Sequence, residues 1–254
     1  MNPLDTSDLS HLRALVTGGG SGIGAAIVEA LRDAGANVFV TDIDSSLDVD
    51  HHGDVSSTDD VDSLFAAVDQ KLGGLDVLVN NVGIAGQTAL IDEVDPEAFD
   101  RDVQVNLGSA MRCTRLATPL LRAAGGGLIV NISSTAGIYG YPYRSSYVAA
   151  KWGVVGLTKT WAMELGADNI RVNCICPGTV GGPRMDGVIG REAQARSADP
   201  EAIRAGYANQ VSLRTFMSPY DIAGAVVYMA SPAGRYVSGQ VLSVDGSTES
   251  MQTL

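Results

Sequence analysis

Seven residues, GGGSGIG at positions 18–24, follow directly on the apolar run ALVT at 14–17 and lead into Ile23, Ala26, Ile27, Ala30 and Leu31, apolar at helical spacing. This is a strand, a glycine turn and a helix, the opening unit of an α/β chain with a parallel sheet. Gly18 lets the chain turn, Gly22 lets backbone approach a phosphate, and Gly24 lets the helix pack closely on the strand. Gly20, Ser21 and Ile23 complete the turn. Backbone N–H groups at the helix start favour an anion there, so the turn reads as a phosphate cradle.

A second strand at 38–41 ends in Asp42, near the offset at which an acid accepts hydrogen bonds from an adenosine ribose. The same acid repels a 2′-phosphate. The segment IDSSLDVDHHGD that follows, opening with Ile43, holds no Arg or Lys, and Ser21 leaves the glycine turn uncharged. NAD is therefore expected over NADP. Only eleven residues separate Asp42 from Asp54, which with Val55 opens the next polar turn, so this crossover is expected to be a loop or a single helical turn.

Helical spacing then predicts a helix over 58–71, with Val61, Leu64, Phe65 and Val68 buried and Thr58 as its cap. A fourth strand at 76–79 closes on Asn80-Asn81-Val82-Gly83, where Asn81 and Gly83 meet the cofactor side of the sheet. A long helix from about 95 to 124 contains Asn106, a residue that costs helix stability unless its side chain is used. Strands follow at 128–132, at 171–176 before Pro177-Gly178, and at 241–244; Ser218 caps a helix through Ala230. Residues 179–213 are rich in Gly, Pro, Ala and charge with weak helical periodicity, which suits a mobile lid over a pocket. No linker divides the chain. The expected fold is α/β, a single domain over 1–254: a Rossmann-like, doubly wound, parallel seven-stranded sheet with helices on both faces.

Chemistry concentrates in ISSTAGIYGYPYRSSYVAAK, residues 132–151. If a helix begins near Ser145, Tyr147 and Lys151 stand four residues apart on one face. A free tyrosine titrates near pH ~10, and a fixed ammonium nearby moves it toward a useful range. Ser134, thirteen positions before Tyr147, stands at the carboxyl end of a strand where its hydroxyl can hold a substrate oxygen; Ser133 is its rival.

A net charge of −12 argues against nucleic acid or an anionic membrane as partner. Cys113, Cys174 and Cys176 lack metal-ligand spacing with one another or with His11, His51 and His52, and adjacent histidines on an extended segment point opposite ways, so no metal is expected. Cys174 and Cys176 read as small core residues in a reducing compartment. The N-terminus MNPLDTSDLSHL does not read as a signal peptide, and no run of eighteen apolar residues is present, so a soluble cytoplasmic protein is expected.

From about residue 10 to 250 the chain resembles the short-chain dehydrogenase/reductase family. T-G-x-x-x-G-I-G falls on residues 17–24, the acidic strand end on Asp42, Asp-Val on Asp54-Val55, N-N-x-G on 80–83, the catalytic tetrad on Asn106, Ser134, Tyr147 and Lys151, and the Pro-Gly turn on Pro177-Gly178, with Val180 just beyond. The resemblance implies that Tyr147 exchanges a proton, Ser134 orients the substrate oxygen, Lys151 tunes Tyr147 and binds the nicotinamide ribose, and Asn106 holds a water that passes the proton outward. Three departures stand out. N-N-A-G has Val82 for its alanine, Y-x-A-S-K reads YVAAK, and the threonine five residues after the proline of the Pro-Gly turn is Gly182, with Thr179 as a substitute.

The activity so implied is NAD-dependent hydride transfer with a secondary alcohol or ketone, in a homotetramer. The alternatives are an NADPH-dependent ketoacyl reductase, which Asp42 opposes, and a dinucleotide-sensing scaffold, which predicts erosion of the tetrad. Arg144, three residues before Tyr147, is unfavourably placed for the helix dipole and suits a substrate carboxylate; with CICPGTV and the short second crossover it resembles the hydroxybutyrate and keto-deoxy-sugar-acid dehydrogenase branch. Arg184 and Arg204 offer further positive charge. Tyr139, Tyr141 and Tyr143 instead offer flat faces to a sugar or other ring, so sugars, polyols and cyclic alcohols are next in line after a small hydroxy acid or sugar acid.

Overall fold

The computed structural model describes residues 8–249. The ends of the 1–254 domain, including most of the N-terminal stretch weighed as a signal peptide, lie outside the described residues. Seven strands, β1 (Arg13–Thr17), β2 (Asn37–Asp42), β3 (His51–His52), β4 (Val77–Asn80), β5 (Gly127–Ile132), β6 (Ile170–Pro177) and β7 (Val241–Val244), form one sheet in the order β3-β2-β1-β4-β5-β6-β7. Every pairing is parallel. The order reverses between β1 and β4, which opens a crevice at the carboxyl ends of those strands.

Because side chains alternate along a strand, each central strand feeds two cores. Val16, Val40, Val79 and Val130 meet α1 (Gly22–Asp33) and α8 (Pro219–Ala230) on one face. Leu15, Phe39, Leu78 and Ile129 meet α2 (Thr58–Leu72) and α4 (Ser109–Ala123) on the other, beside Leu165 at the end of α5 (Ser145–Leu165). The crossover between Asp42 and Asp54 carries no helix, and His51 and His52 form the short edge strand.

Several local readings change. Ser57, not Thr58, caps α2, its hydroxyl accepting from the Asp60 amide. The long helix before β5 is broken into α3 (Pro96–Val103), a π-helical turn over Gln104–Gly108, and α4. Asn106 lies inside that turn, where the wider winding redirects its side chain. The stretch 179–213, of weak helical periodicity in sequence, holds α6 (Pro183–Arg196) and α7 (Pro200–Asn209), packed through Val188, Ile189, Ala193, Ile203 and Tyr207. No helix of the described residues is long and apolar enough to cross a membrane.

Candidate active site

The glycine turn joins β1 to α1 at the switch point between β1 and β4. Gly18 and Gly22 have φ of +61° and +55°, conformations that glycine adopts without steric cost. A Cβ on Gly24 would lie 2.0 Å from the Gly18 carbonyl oxygen, so only glycine lets α1 approach this closely. Asn81 locks the turn to β4, its Nδ2 donating to the Gly18 and Thr17 carbonyls at 2.9 and 3.2 Å. No acid stands in the first turn of α1 and Ser21 makes no side-chain cap bond, which keeps the anion-favouring end of the helix uncluttered.

Asp42 stands beside this turn, its carboxylate accepting from the Gly20 and Asp44 amides at 3.0 and 3.2 Å. Ile43 is 67% exposed next to it. Asp54 accepts from the Ser56 amide, and Val55 is buried behind it. His51 is drawn into β3 packing through Thr41 Oγ1 at 3.1 Å, and burial holds its imidazole below the usual histidine range.

Beyond β5, the adjacent serines have different partners. Ser133 is buried and donates to the Lys151 backbone carbonyl at 2.9 Å, a bond of the fold. Ser134 accepts from the Ala136 amide, and its hydroxyl lies near enough to the Tyr147 phenol to favour the ionised form. One α5 turn on, Lys151 is 3% exposed, its Nζ donating to the Ile132 carbonyl at 3.0 Å and lying 5.7 Å from the Tyr147 ring centre. Burial alone would push the Tyr147 phenol up; the Lys151 ammonium, then Arg184, the Ser134 hydroxyl and Arg144, outweigh it and leave the phenol below its ordinary value. Lys151 is itself lowered, chiefly by burial.

Asn106 reaches the same place from the π turn. Its Nδ2 donates to the Asp102 carbonyl at 2.9 Å and its Oδ1 accepts from the Ile84 amide at 3.1 Å. A Cβ on Gly83 would stand 2.6 Å from Asn106 Oδ1 and 3.2 Å from Lys151 Nζ, so glycine keeps that corner open. On the far side, Gly178 packs under Met217 and Asp245 and donates to the Val244 carbonyl, while Val180 bridges to Met217. Gly182, at φ +130°, starts α6.

Of the three arginines expected at the substrate, two gather near Tyr147. Arg144 is 5% exposed, its guanidinium 5.0 Å from the Tyr147 ring centre. Its Nη2 donates to the Ala85 carbonyl at 2.6 Å, while its buried Nε has no partner. Burial pushes this guanidinium down, and Arg191 and Arg184 nearby add to the effect. Arg184 donates to the Gly83 carbonyl. Arg204 departs from the expectation: it pairs with Asp186 at 2.6 Å, neighbours Glu201 and stacks on Phe216, so its charge is already matched within α6 and α7. Tyr141 packs edge-on against Tyr207 with its hydroxyl buried and unpartnered, whereas Tyr139 donates to the Thr248 carbonyl and Tyr143 shapes the chain at φ 64°.

Two pairings have no counterpart in the sequence reading, which takes Asn80 only as part of the N-N-x-G turn. Asn80 and Asn131 face each other across β4 and β5, bonded at 2.8 Å, with Thr114 and Thr158 continuing the buried chain. Their signal is a V-N pair at the end of β4 and one residue before the end of β5. Asp102 and Ser146 gave no signal at all, yet both are buried and bonded to each other.

The family model described as enoyl-(acyl carrier protein) reductase matches residues 18–247. The chain is 35% identical to the 3-oxoacyl-(acyl-carrier-protein) reductase of Thermotoga maritima, over 91% of this chain and 95% of that one. It is also 35% identical to the D-beta-hydroxybutyrate dehydrogenase of Cupriavidus necator, over 94% of this chain and 98% of the relative. A crystal structure of an actinorhodin polyketide ketoreductase variant with NADPH superposes with a TM-score of 0.87 at 32% identity, covering 94% of this chain and 98% of that chain. The matches span nearly the full length of each protein and are joined here to a half-buried Tyr147 beside a buried Lys151 at the carboxyl edge of a parallel sheet. The chain belongs to the short-chain dehydrogenase/reductase family, whose named relatives here are dehydrogenases and reductases of alcohols and ketones.

Proposed function

We propose that this oxidoreductase uses NAD and acts on a small hydroxy acid or sugar acid, with Asn106, Ser134, Tyr147 and Lys151 as its working residues. The observation that carries the reading is the placement of the Tyr147 ring between Arg144, 5.0 Å from its centre, and the buried Lys151 ammonium, 5.7 Å away, cations that favour the phenolate. A bound nicotinamide dinucleotide supplies the acceptor for hydride from the carbinol carbon. The turn at 18–24 fits its pyrophosphate, because Gly24 admits no Cβ and the first turn of α1 carries no acid. Asp42 would receive ribose hydroxyls, and Ile43, Asp54, Val55, Asn81, Gly83, Pro177, Gly178 and Val180 would line the remaining length, with Thr179 standing in for the side chain missing at Gly182.

In the oxidative direction Ser134 holds the hydroxyl, Tyr147 as phenolate takes its proton, and the carbonyl forms as the carbon gives up its hydride. Lys151 keeps the phenolate available. Asn106 holds the water through which Tyr147 returns the proton to solvent. The pair α6 and α7 serves as the lid, and the working form is a cytoplasmic homotetramer, a state that sedimentation at a monomer's rate would refute.

Cofactor choice tests the reading first. With Asp42 beside the ribose site, kcat/KM with NAD exceeds that with NADP by about tenfold or more, a difference of about 1.4 kcal/mol. Equal efficiency with NADP would favour the ketoacyl-reductase alternative.

Arg144 tests the substrate class. Its unpartnered Nε beside Tyr147 suits a carboxylate, and Arg184 and Arg191 add positive field. Arg144→Leu therefore raises KM for a hydroxy acid by about tenfold or more, and much less for a neutral alcohol. Activity confined to uncharged alcohols and indifferent to this change would leave a sugar, polyol or cyclic alcohol as the substrate.

A further inference from the structure

Asp102 occupies the last turn of α3 and is 4% exposed, although an ionised carboxylate without pairing is costly to bury. No cation pairs with it among the described salt bridges. Its Oδ2 accepts from the Ser146 hydroxyl at 2.6 Å and from the Gln87 amide at 3.1 Å, and its backbone carbonyl accepts from Asn106 Nδ2 at 2.9 Å. A short O–H to carboxylate bond is a strong and directional one.

These contacts join three segments that each carry part of the site. Ser146 adjoins Tyr147 and lies two residues from Arg144. Asn106 is one turn beyond Asp102. The loop 83–89 is shaped to sit on the carboxylate: Gly86 has φ +73°, and a Cβ there would lie 2.3 Å from Asp102 Oδ2. The same loop is fastened to the start of α5 by Arg144 donating to Ala85 and by the Ala89 amide donating to the Tyr143 carbonyl.

We propose that Asp102 is a positioning residue that, through Ser146, sets the first turn of α5, and with it Arg144 and Tyr147, against Asn106 and the 83–89 loop. The inference rests on the catalytic reading of Tyr147 given above. A buried acid bonded only to neutral donors adds little net stability compared with an apolar residue, so its use lies in fixing geometry. Displacement of Tyr147 by a fraction of an ångström loses alignment with Ser134 and with the cations that tune it.

The test compares Asp102→Leu, Asp102→Asn, Ser146→Ala and the Asp102→Leu/Ser146→Ala double variant. Asp102→Leu lowers kcat per folded enzyme about thirtyfold, with cofactor affinity changed less than about threefold. Asp102→Asn keeps an acceptor in the same place and stays within about threefold of the wild type. The double variant is no worse than Asp102→Leu alone, because the two residues act as a unit.

The titration of Tyr147, followed by ultraviolet difference spectroscopy with Tyr147→Phe as blank, supplies the second readout. Asp102→Leu raises it, since the phenol moves off Lys151, Arg184 and Arg144; removal of a negative charge alone would lower it. An unchanged or lowered titration, or a loss in Asp102→Leu that follows the folded fraction with kcat per folded enzyme intact, overturns the proposal. If the wild type shows no nicotinamide-linked activity, the functional reading falls while the titration still decides whether Asp102 places Tyr147.

Discussion

Tyr147→Phe lowers kcat about a thousandfold while leaving NAD affinity within about threefold, because the ring keeps its place beside Arg144 and Lys151 and only the proton-transfer oxygen is lost. The loss cannot be recovered by Ser134, whose neutral hydroxyl is no base at neutrality. A pH profile gives the same answer from another side. In the oxidative direction the phenolate is the active form, so rate rises with pH along a limb centred below the ordinary tyrosine value of about 10, as the positive neighbours require. Residual activity near that of the wild type in Tyr147→Phe would assign the proton transfer to another group.

Gly24→Ala has the largest effect on the scaffold. The added Cβ meets the Gly18 carbonyl oxygen at 2.0 Å, the carbonyl carbon at 2.9 Å and Asn81 Nδ2 at 2.6 Å, so α1 must move off the strand. A loss of about 3 kcal/mol, seen as a Tm lowered by roughly 10 °C, is expected together with most of the dinucleotide affinity. Gly22→Ala is the control: its Cβ meets nothing within 4 Å, and the cost is that of φ +55° alone, about 1–2 kcal/mol. A larger loss for Gly22→Ala than for Gly24→Ala, measured by thermal unfolding, would show that backbone conformation and not helix approach governs the turn.

What was legible in the sequence was local. The strand, glycine turn and helix at 14–31 carry their geometry in residue type, since only glycine takes the observed φ at Gly18 and Gly22 without strain and only glycine fits at Gly24. Tyr147 and Lys151 were legible for the same reason, as helical spacing places them on one face. The π turn was half-visible: Asn106 marked a helix under strain, but not the extra residue that lets its amide reach the Ile84 amide.

The helices α6 and α7 were obscured because their packing is tertiary. Gly187 and Gly190 dilute the periodicity of α6, and its inward face includes Glu192, a charge made tolerable by Arg196 and the Tyr207 hydroxyl. The pairing of Arg204 is hidden because Asp186, its partner, is eighteen positions away on the other helix. Asp102 sits among the charges of FDRDV, and sequence alone does not separate a carboxylate turned into the protein from its solvated neighbours.

The central claim is that Tyr147, tuned by buried cations, drives nicotinamide-linked oxidation of a hydroxy acid. The direct measurement is the absorbance of reduced nicotinamide formed by the purified protein with NAD and with NADP in parallel, across hydroxy acids, sugar acids, sugars, polyols and cyclic alcohols. NAD reduction with a hydroxy acid or sugar acid in preference to the neutral substrates, lost in Tyr147→Phe, is the predicted result. Turnover that prefers NADP or survives in Tyr147→Phe would contradict the account.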